Sequence, residues 1–359
     1  MDKIKVMVVD DSAFMRRLLT DLLEVDSAIE VVGTAANGVE FLEEVPRLKP
    51  DVVTLDIHMP QMDGISALRK LMETNPLPVV LLSSVTKEGS DVTTEGLLLG
   101  AVDFLTKPIT WDNIEGFREQ LALKVKTAAN ANLRGLVKEL PPTPPPKTSL
   151  HAGAAQRLIA IGSSTGGPKA LETLLSGLSP HLPACVLISQ HMPGQFTAAL
   201  AQRLNNSCPL EVREARSGDV LKEGLVLLAP GEYHLRVTPR RVVQLTTEEP
   251  DATIRPSIDV MISSAVQVYG AQMVAVILTG MGRDGAAACL KVKEAGGLVV
   301  AQDETTSVVY GMPKAVMENG AAHMSLPGHS IAEFLNWYVN GLKQGSFPRL
   351  NGRPDLTER

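Results

Sequence analysis

Hydrophobic and polar positions come in blocks along the first third of the chain. Residues 4–9 form a mainly apolar run, read as a strand, that ends at Asp10-Asp11. Residues 13–24 then carry Phe14, Leu18, Leu19 and Leu22 along one face, the spacing of an amphipathic helix. The alternation continues with a strand at 29–34, a helix at 38–45 and a strand at 51–55 that ends at Asp56. Further strands are expected at 78–82, ending at Ser83-Ser84, and at 101–105, closed by Thr106-Lys107-Pro108. Ile114, Phe117, Leu121 and Val125 predict a closing helix. Apolar runs that alternate with helical patterns in this way imply a parallel sheet covered on both faces.

The pattern breaks at Leu140-Pro141-Pro142-Thr143-Pro144-Pro145-Pro146, which neither a helix nor a central strand can absorb. Such a run predicts an extended, semi-stiff spacer. Beyond it, strands are expected at 157–161, 184–189, 226–229, 273–278 and 298–301, with a hairpin formed by 233–237 and 242–245. Leu171, Leu174, Leu175 and Leu178 recur at helical spacing after the first of these strands. The second half is therefore a doubly wound, mostly parallel α/β domain. The fold class is α/β throughout, with two domains and a proline-rich linker.

Length and charge narrow the function. A chain of 359 residues can bury two separate cores. A formal charge of −6 and no clustered basic recognition helix argue against nucleic acid as a partner. No uninterrupted apolar run could span a bilayer, and the N-terminus runs into a strand without a signal-peptide core. Cys185, Cys208 and Cys289 are odd in number and far apart, so they read as buried thiols of a reducing compartment. A cytoplasmic protein is expected, with no membrane insertion.

The chemistry gathers at strand ends. In a doubly wound sheet, sites form where the C-terminal ends of strands meet at a switch in strand order. In the first half those ends carry Asp10, Asp11, Asp56, Ser83 and Lys107. Three carboxylates in one pocket repel unless a cation intervenes, and Mg²⁺, which prefers oxygen ligands, is the economical one. A carboxylate beside Mg²⁺, a lysine and a hydroxyl is equipped to accept a phosphoryl group. In the second half, Gly162-Ser163-Ser164-Thr165-Gly166 reads G-x-S-x-G between a strand and a helix, with Ser164 at the apex. The amides that open the helix there are available to an oxyanion. His191 and Asp284 each follow another buried strand, and a Ser, a His and an Asp on one edge have the chemistry of a triad. Asp303, also at a strand end, rivals Asp284 as the acid. The chain order Ser–His–Asp differs from the Ser–Asp–His order of α/β-hydrolases.

These motifs carry two family resemblances. Asp10-Asp11, Asp56-x-x-Met59-Pro60-x-Met62-Asp63-Gly64, Ser83 and Lys107-Pro108 resemble a response-regulator receiver domain, placed at residues 1–125. A flavodoxin-like five-stranded parallel sheet is implied. The resemblance further implies Asp56 as phosphoacceptor, with Asp10, Asp11, Asp56 and the backbone carbonyl of His58 holding Mg²⁺. Ser83 and Lys107 would stabilise the phosphoryl group, with Phe104 at the aromatic switch position. After a linker at 126–156, residues 157–345 resemble the catalytic domain of the chemotaxis protein-glutamate methylesterases, the CheB family. The motifs are Gly162 to Pro168, Gln190-His191-Met192-Pro193 and Thr279-Gly280-Met281-Gly282-Arg283-Asp284-Gly285.

That second resemblance implies Ser164 as nucleophile, His191 as base and Asp284 as orienting acid. The backbone N–H groups of Met281 and Thr165 would form the oxyanion hole, with no cofactor in this domain. Implied partners are methyl-accepting chemoreceptors as substrate and a chemotaxis histidine kinase as phosphodonor. The implied activity is a phosphorylation-controlled serine esterase that hydrolyses glutamate γ-methyl esters, releases methanol and also deamidates receptor glutamines. Ser163 and Arg283 stand where the family often has other small or polar residues. Two other classes fit the residues less well: a receiver-controlled binding module without catalysis, and a serine hydrolase of small esters.

Overall fold

The computed structural model describes residues 3–83, 86–108, 110, 112–133, 154–248, 252 and 254–341. Ser84, the proline run at 140–146 and the expected domain end at 345 lie outside the described residues. The chain divides into two compact units, one built on each half of the sequence.

The first unit runs β1 (Ile4–Val9), α1 (Ala13–Glu24), β2 (Ile29–Ala35), α2 (Gly38–Leu48), β3 (Val52–Asp56), α3 (Gly64–Thr74), β4 (Val79–Ser83), α4 (Lys87–Leu99), β5 (Asp103–Thr106) and α5 (Ile114–Ala129). Its five strands are ordered β2-β1-β3-β4-β5 and every pairing is parallel. β3 and β4 are buried along their whole length, as continuous apolar runs in a doubly covered sheet should be. Helix starts follow their capping residues. Ser12, Asn37 and Asp63 each accept a hydrogen bond from the first turn of α1, α2 and α3. α2 continues past Val45, where the apolar pattern stops, through Pro46 to Leu48. Pro46 is exposed in the last turn, so the helix loses one bond on its solvent side. α5 extends to Ala129, beyond the boundary expected at 125.

The second unit runs β6 (Leu158–Ser163), α6 (Gly167–Ser176), β7 (Cys185–Gln190), α7 (Gly194–Ser207), β8 (Glu211–Glu214), β9 (Leu225–Leu228), β10 (His234–Val237), β11 (Val243–Thr246), α8 (Ile258–Tyr269), β12 (Met273–Ile277), α9 (Ala286–Glu294), β13 (Leu298–Gln302), α10 (Met312–Glu318), β14 (Met324–Leu326) and α11 (Gly328–Gly341). Seven strands form one sheet in the order β14-β13-β12-β6-β7-β9-β8, all parallel, and β10 and β11 form the expected antiparallel hairpin. Alternate residues of the inner strands, among them Leu158, Ala160, Leu187 and Ala275, pack with α8, α9 and α10 in one apolar cluster. The residues between them, such as Ile159, Ile161 and Ile188, face the other way and are equally buried. Both faces of the sheet are thus covered.

Candidate active site and phosphoacceptor site

In the first unit the reactive side chains lie at the switch in strand order. Asp10 follows β1 and Asp56 ends β3, the two neighbours between which the order reverses. Asp10 and Asp56 are buried while Asp11 is exposed, and one carboxylate oxygen from each lies within 4.8 Å of the other two. Lys107 reaches in from the end of β5, its Nζ 2.7 Å from Asp10 Oδ2 and 2.8 Å from Asp56 Oδ1. The Ile57 N–H donates to Asp56 Oδ1 at 2.9 Å, and the Ser12 N–H to Asp10 Oδ1 at 3.0 Å. Among the described residues, Asp10 Oδ2, fully buried, takes no partner besides the ammonium. Burial pushes the Asp56 carboxyl above its ordinary range and Asp10 adds to the push, while Lys107 pulls the other way. Burial also works against the charge of Lys107, but Asp56 and Asp10 outweigh it and hold the ammonium above its usual pKa.

The surrounding residues fix this arrangement. Arg16 donates to the backbone carbonyls of Asp10 and Asp11 at 2.7 and 3.0 Å, which ties the acidic pair to α1. Gly64 packs its bare Cα against the Asp56 backbone: a Cβ there would lie 2.0 Å from the Asp56 carbonyl oxygen. His58 is exposed in the loop between them. Ser83 Oγ lies 2.5 Å from Thr93 Oγ1, the Ser83 carbonyl accepts the Lys107 N–H at 2.8 Å, and Phe104 is buried.

In the second unit three adjacent strands, β12, β6 and β7, deliver the three candidate catalytic residues. Ser163 and Gln190 are register partners at the ends of β6 and β7, so Ser164 and His191 are the next residues out on neighbouring strands. The Ser164 N–H donates to the Thr279 carbonyl at 3.0 Å, which links the serine to the loop after β12. That loop holds Gly280, whose Cα packs against the serine: a Cβ would sit 2.6 Å from Ser164 Cβ. Met281 follows with an exposed side chain, Arg283 is exposed, and Thr165 is buried directly after the serine.

His191 Nε2 lies 2.8 Å from Asp284 Oδ2. A carboxylate only accepts, so Nε2 carries the proton and Nδ1 is left as the ring acceptor. Asp284 also caps α8. It accepts the Ile258 N–H at 2.7 Å, the Asp259 N–H at 3.0 Å and the Ser257 hydroxyl at 3.0 Å. Burial works to raise the Asp284 pKa, but the His191 bond and the two amides outweigh it and bring it to about 2. Among the described residues, Ser164 Oγ makes no hydrogen bond to His191. Asp303, the rival acid, is turned to its own loop, where it accepts from the Thr306 N–H and hydroxyl and from the Thr305 hydroxyl. His234 is buried and accepts the Ser257 N–H at 3.2 Å. Sequence reasoning missed Ser257 and the start of α8. The signal was present as a serine immediately before an apolar helical pattern.

Comparison with known proteins agrees with this division. A family profile described as "CheB methylesterase" matches residues 159–335, and one described as "Response regulator receiver domain" matches residues 6–116. A "Protein-glutamate methylesterase/protein-glutamine glutaminase" of Symbiobacterium thermophilum is 48% identical over 92% of this chain and 95% of its own length. The chain belongs to the CheB methylesterase family. A relative of the same description from Halalkalibacterium halodurans is 44% identical over 92% of this chain and 97% of its own. Among solved structures, the CheB methylesterase catalytic domain of Thermotoga maritima is 41% identical, with a TM-score of 0.49 over 51% of this chain and 98% of that one. This CheB-family chain therefore carries a receiver domain and a methylesterase domain in one polypeptide.

Proposed function

We propose that this protein is a serine esterase that hydrolyses glutamate γ-methyl esters on chemoreceptors, under the control of phosphorylation at Asp56. The domains are assigned as a receiver that runs to the end of α5 at Ala129, a linker, and a catalytic domain from Ala155, which packs in its core, to 345. The observation that carries the catalytic assignment is the His191–Asp284 hydrogen bond on the sheet edge where Ser164 follows β6. Ser164 Oγ attacks the ester carbonyl carbon while His191 Nδ1 takes its proton. Asp284 holds the imidazole by Nε2 and steadies the imidazolium. The Met281 and Thr165 N–H groups stabilise the oxyanion. The C–O bond to the methoxyl group breaks, and His191 returns the proton so that methanol leaves. A water, deprotonated by His191, then attacks the acyl carbon, the bond to Ser164 Oγ breaks, and His191 returns the proton to Oγ as the receptor glutamate is released. A glutamine amide can follow the same path with ammonia as the leaving group, which accords with the double name of the relatives.

In the receiver, Asp56 is the phosphoacceptor and a chemotaxis histidine kinase the donor. Three carboxylates with an otherwise unpartnered buried oxygen fit Mg²⁺, a hard cation. Asp10, Asp11, Asp56 and the His58 carbonyl would hold it, and when bound it supplies positive charge against the incoming phosphoryl group. Lys107 adds its ammonium charge, and Ser83 supplies a hydroxyl to the phosphoryl oxygens. No helix among the described residues is long and apolar enough to cross a membrane, and we place the enzyme in the cytoplasm.

Incubation with methyl-labelled chemoreceptor membranes tests the activity. Methanol release is expected from the wild-type protein and is expected to fall about 10⁴-fold or more in Ser164→Ala, with no further loss on adding His191→Ala. Release that persisted in Ser164→Ala would reject the serine mechanism, and a wild-type protein that bound receptors without releasing methanol would favour a binding module.

A further inference from the structure

Gln190, the residue before the base, has no part in the chemistry described above, yet it is 2% exposed and fully engaged. Its Oε1 accepts the Ser163 hydroxyl at 2.6 Å. Its Nε2 donates to the Ser164 carbonyl at 3.0 Å and to the His191 carbonyl at 3.1 Å. One amide thus spans two neighbouring strand ends and bonds the main chain of both the nucleophile and the base. The two carbonyls can only accept, so they fix which end of the amide carries the donors, and the Ser163 hydroxyl then donates to Oε1 and anchors that end.

We propose that Gln190 is a positioning residue that holds Ser164 and His191 in their reactive relation, with the Ser163 hydroxyl anchoring its Oε1. The inference rests on the esterase reading of Ser164 and His191. Its physical basis is that no hydrogen bond joins Ser164 Oγ to His191, so their separation is set by the backbones that carry them. The carbonyls of these two residues lie just past the ends of β6 and β7, beyond the last rung of the ladder, where Gln190 supplies their donors. A shift of about 1 Å between reacting groups can cost roughly 10²-fold in rate. The G-x-S-x-G turn and the histidine are therefore one coupled unit. It also accounts for Ser163, whose hydroxyl has a specific acceptor.

The test is steady-state kinetics of the full-length protein on a peptide bearing a glutamate γ-methyl ester. Ser163→Ala, Gln190→Met and the double variant are compared with wild type, and Ser164→Ala serves as the zero. Gln190→Met is expected to lower kcat roughly 10²-fold with KM nearly unchanged. Ser163→Ala is expected to lower kcat about 5-fold, again with KM unchanged. The double variant should be no slower than Gln190→Met, because Ser163 acts through Gln190. Losses that multiply in the double variant, or kcat values equal to wild type in both single variants, would overturn the proposal. Should Gln190→Met fail to fold, Ser163→Ala decides alone: a selective fall in kcat supports the proposal and an unchanged kcat overturns it. Activity that survived in Ser164→Ala would instead reject the esterase reading itself, so the two failures are distinguishable.

Discussion

Two aspartates with similar burial are driven in opposite directions, and the difference separates their roles. Asp56 has one amide donor and a shared lysine, so burial dominates and its pKa rises. Asp284 has the start of α8, Ser257 and His191 around it, and its pKa falls from 3.8 to about 2. A carboxyl whose folded pKa is depressed stabilises the fold above its unfolded pKa and loses that contribution as pH falls through the folded value. Stability owed to Asp284 is therefore complete above 3.8 and is lost toward about 2. We expect Asp284→Asn to lower kcat about 10⁴-fold, by analogy with loss of the acid in other triads. Asp303→Asn should keep most of the activity, because Asp303 serves its own turn. A more damaging Asp303 change would reverse the assignment. The strand pattern placed both aspartates at strand ends and left Asp303 as a rival, while the resemblance of residues 279–285 pointed to Asp284. The choice depends on which helix start and which imidazole face each carboxylate, and neither is a local property of the chain.

At the level of elements, what was legible follows burial. Central strands such as β6, β7 and β12 are covered on both faces, so they read as unbroken apolar runs. The edge strands β8, with the sequence Glu-Val-Arg-Glu, and β14, three half-buried residues, escape the same reading because neither is a continuous apolar run. The strand-end loops were visible as motifs, but their mutual packing was not. Gly280 shows why packing matters. Its Cβ-free surface lets the loop after β12 close on Ser164, and an added methyl would meet Ser164 Cβ and Met312 Sδ, each at 2.6 Å. The Met312 thioether can move aside, whereas Ser164 Cβ is fixed to the backbone. Gly280→Ala should therefore push the serine out of line and lower kcat by roughly 10²-fold, with a smaller effect on thermal stability. A variant with wild-type kcat would show that the loop and the serine are not held in contact during turnover.

For the whole molecule, the proposed function has the receiver unit govern the esterase unit. Under the proposed control, phosphate on Asp56 would add charge to a buried site that already holds Asp10 and Lys107, and that change would have to bias an equilibrium between states of different esterase activity. The two-domain organisation was legible because each half repeats the strand–helix alternation and a proline run separates them. The coupling was not legible, since it depends on differential affinities between states. The most direct test measures methanol release from methyl-labelled receptor membranes by wild type and Asp56→Asn, with and without acetyl phosphate and Mg²⁺. The account predicts that the phosphodonor raises the wild-type rate by a factor within about 5 to 150 and leaves Asp56→Asn unchanged. Equal wild-type rates with and without phosphodonor, or equal stimulation of Asp56→Asn, would contradict it.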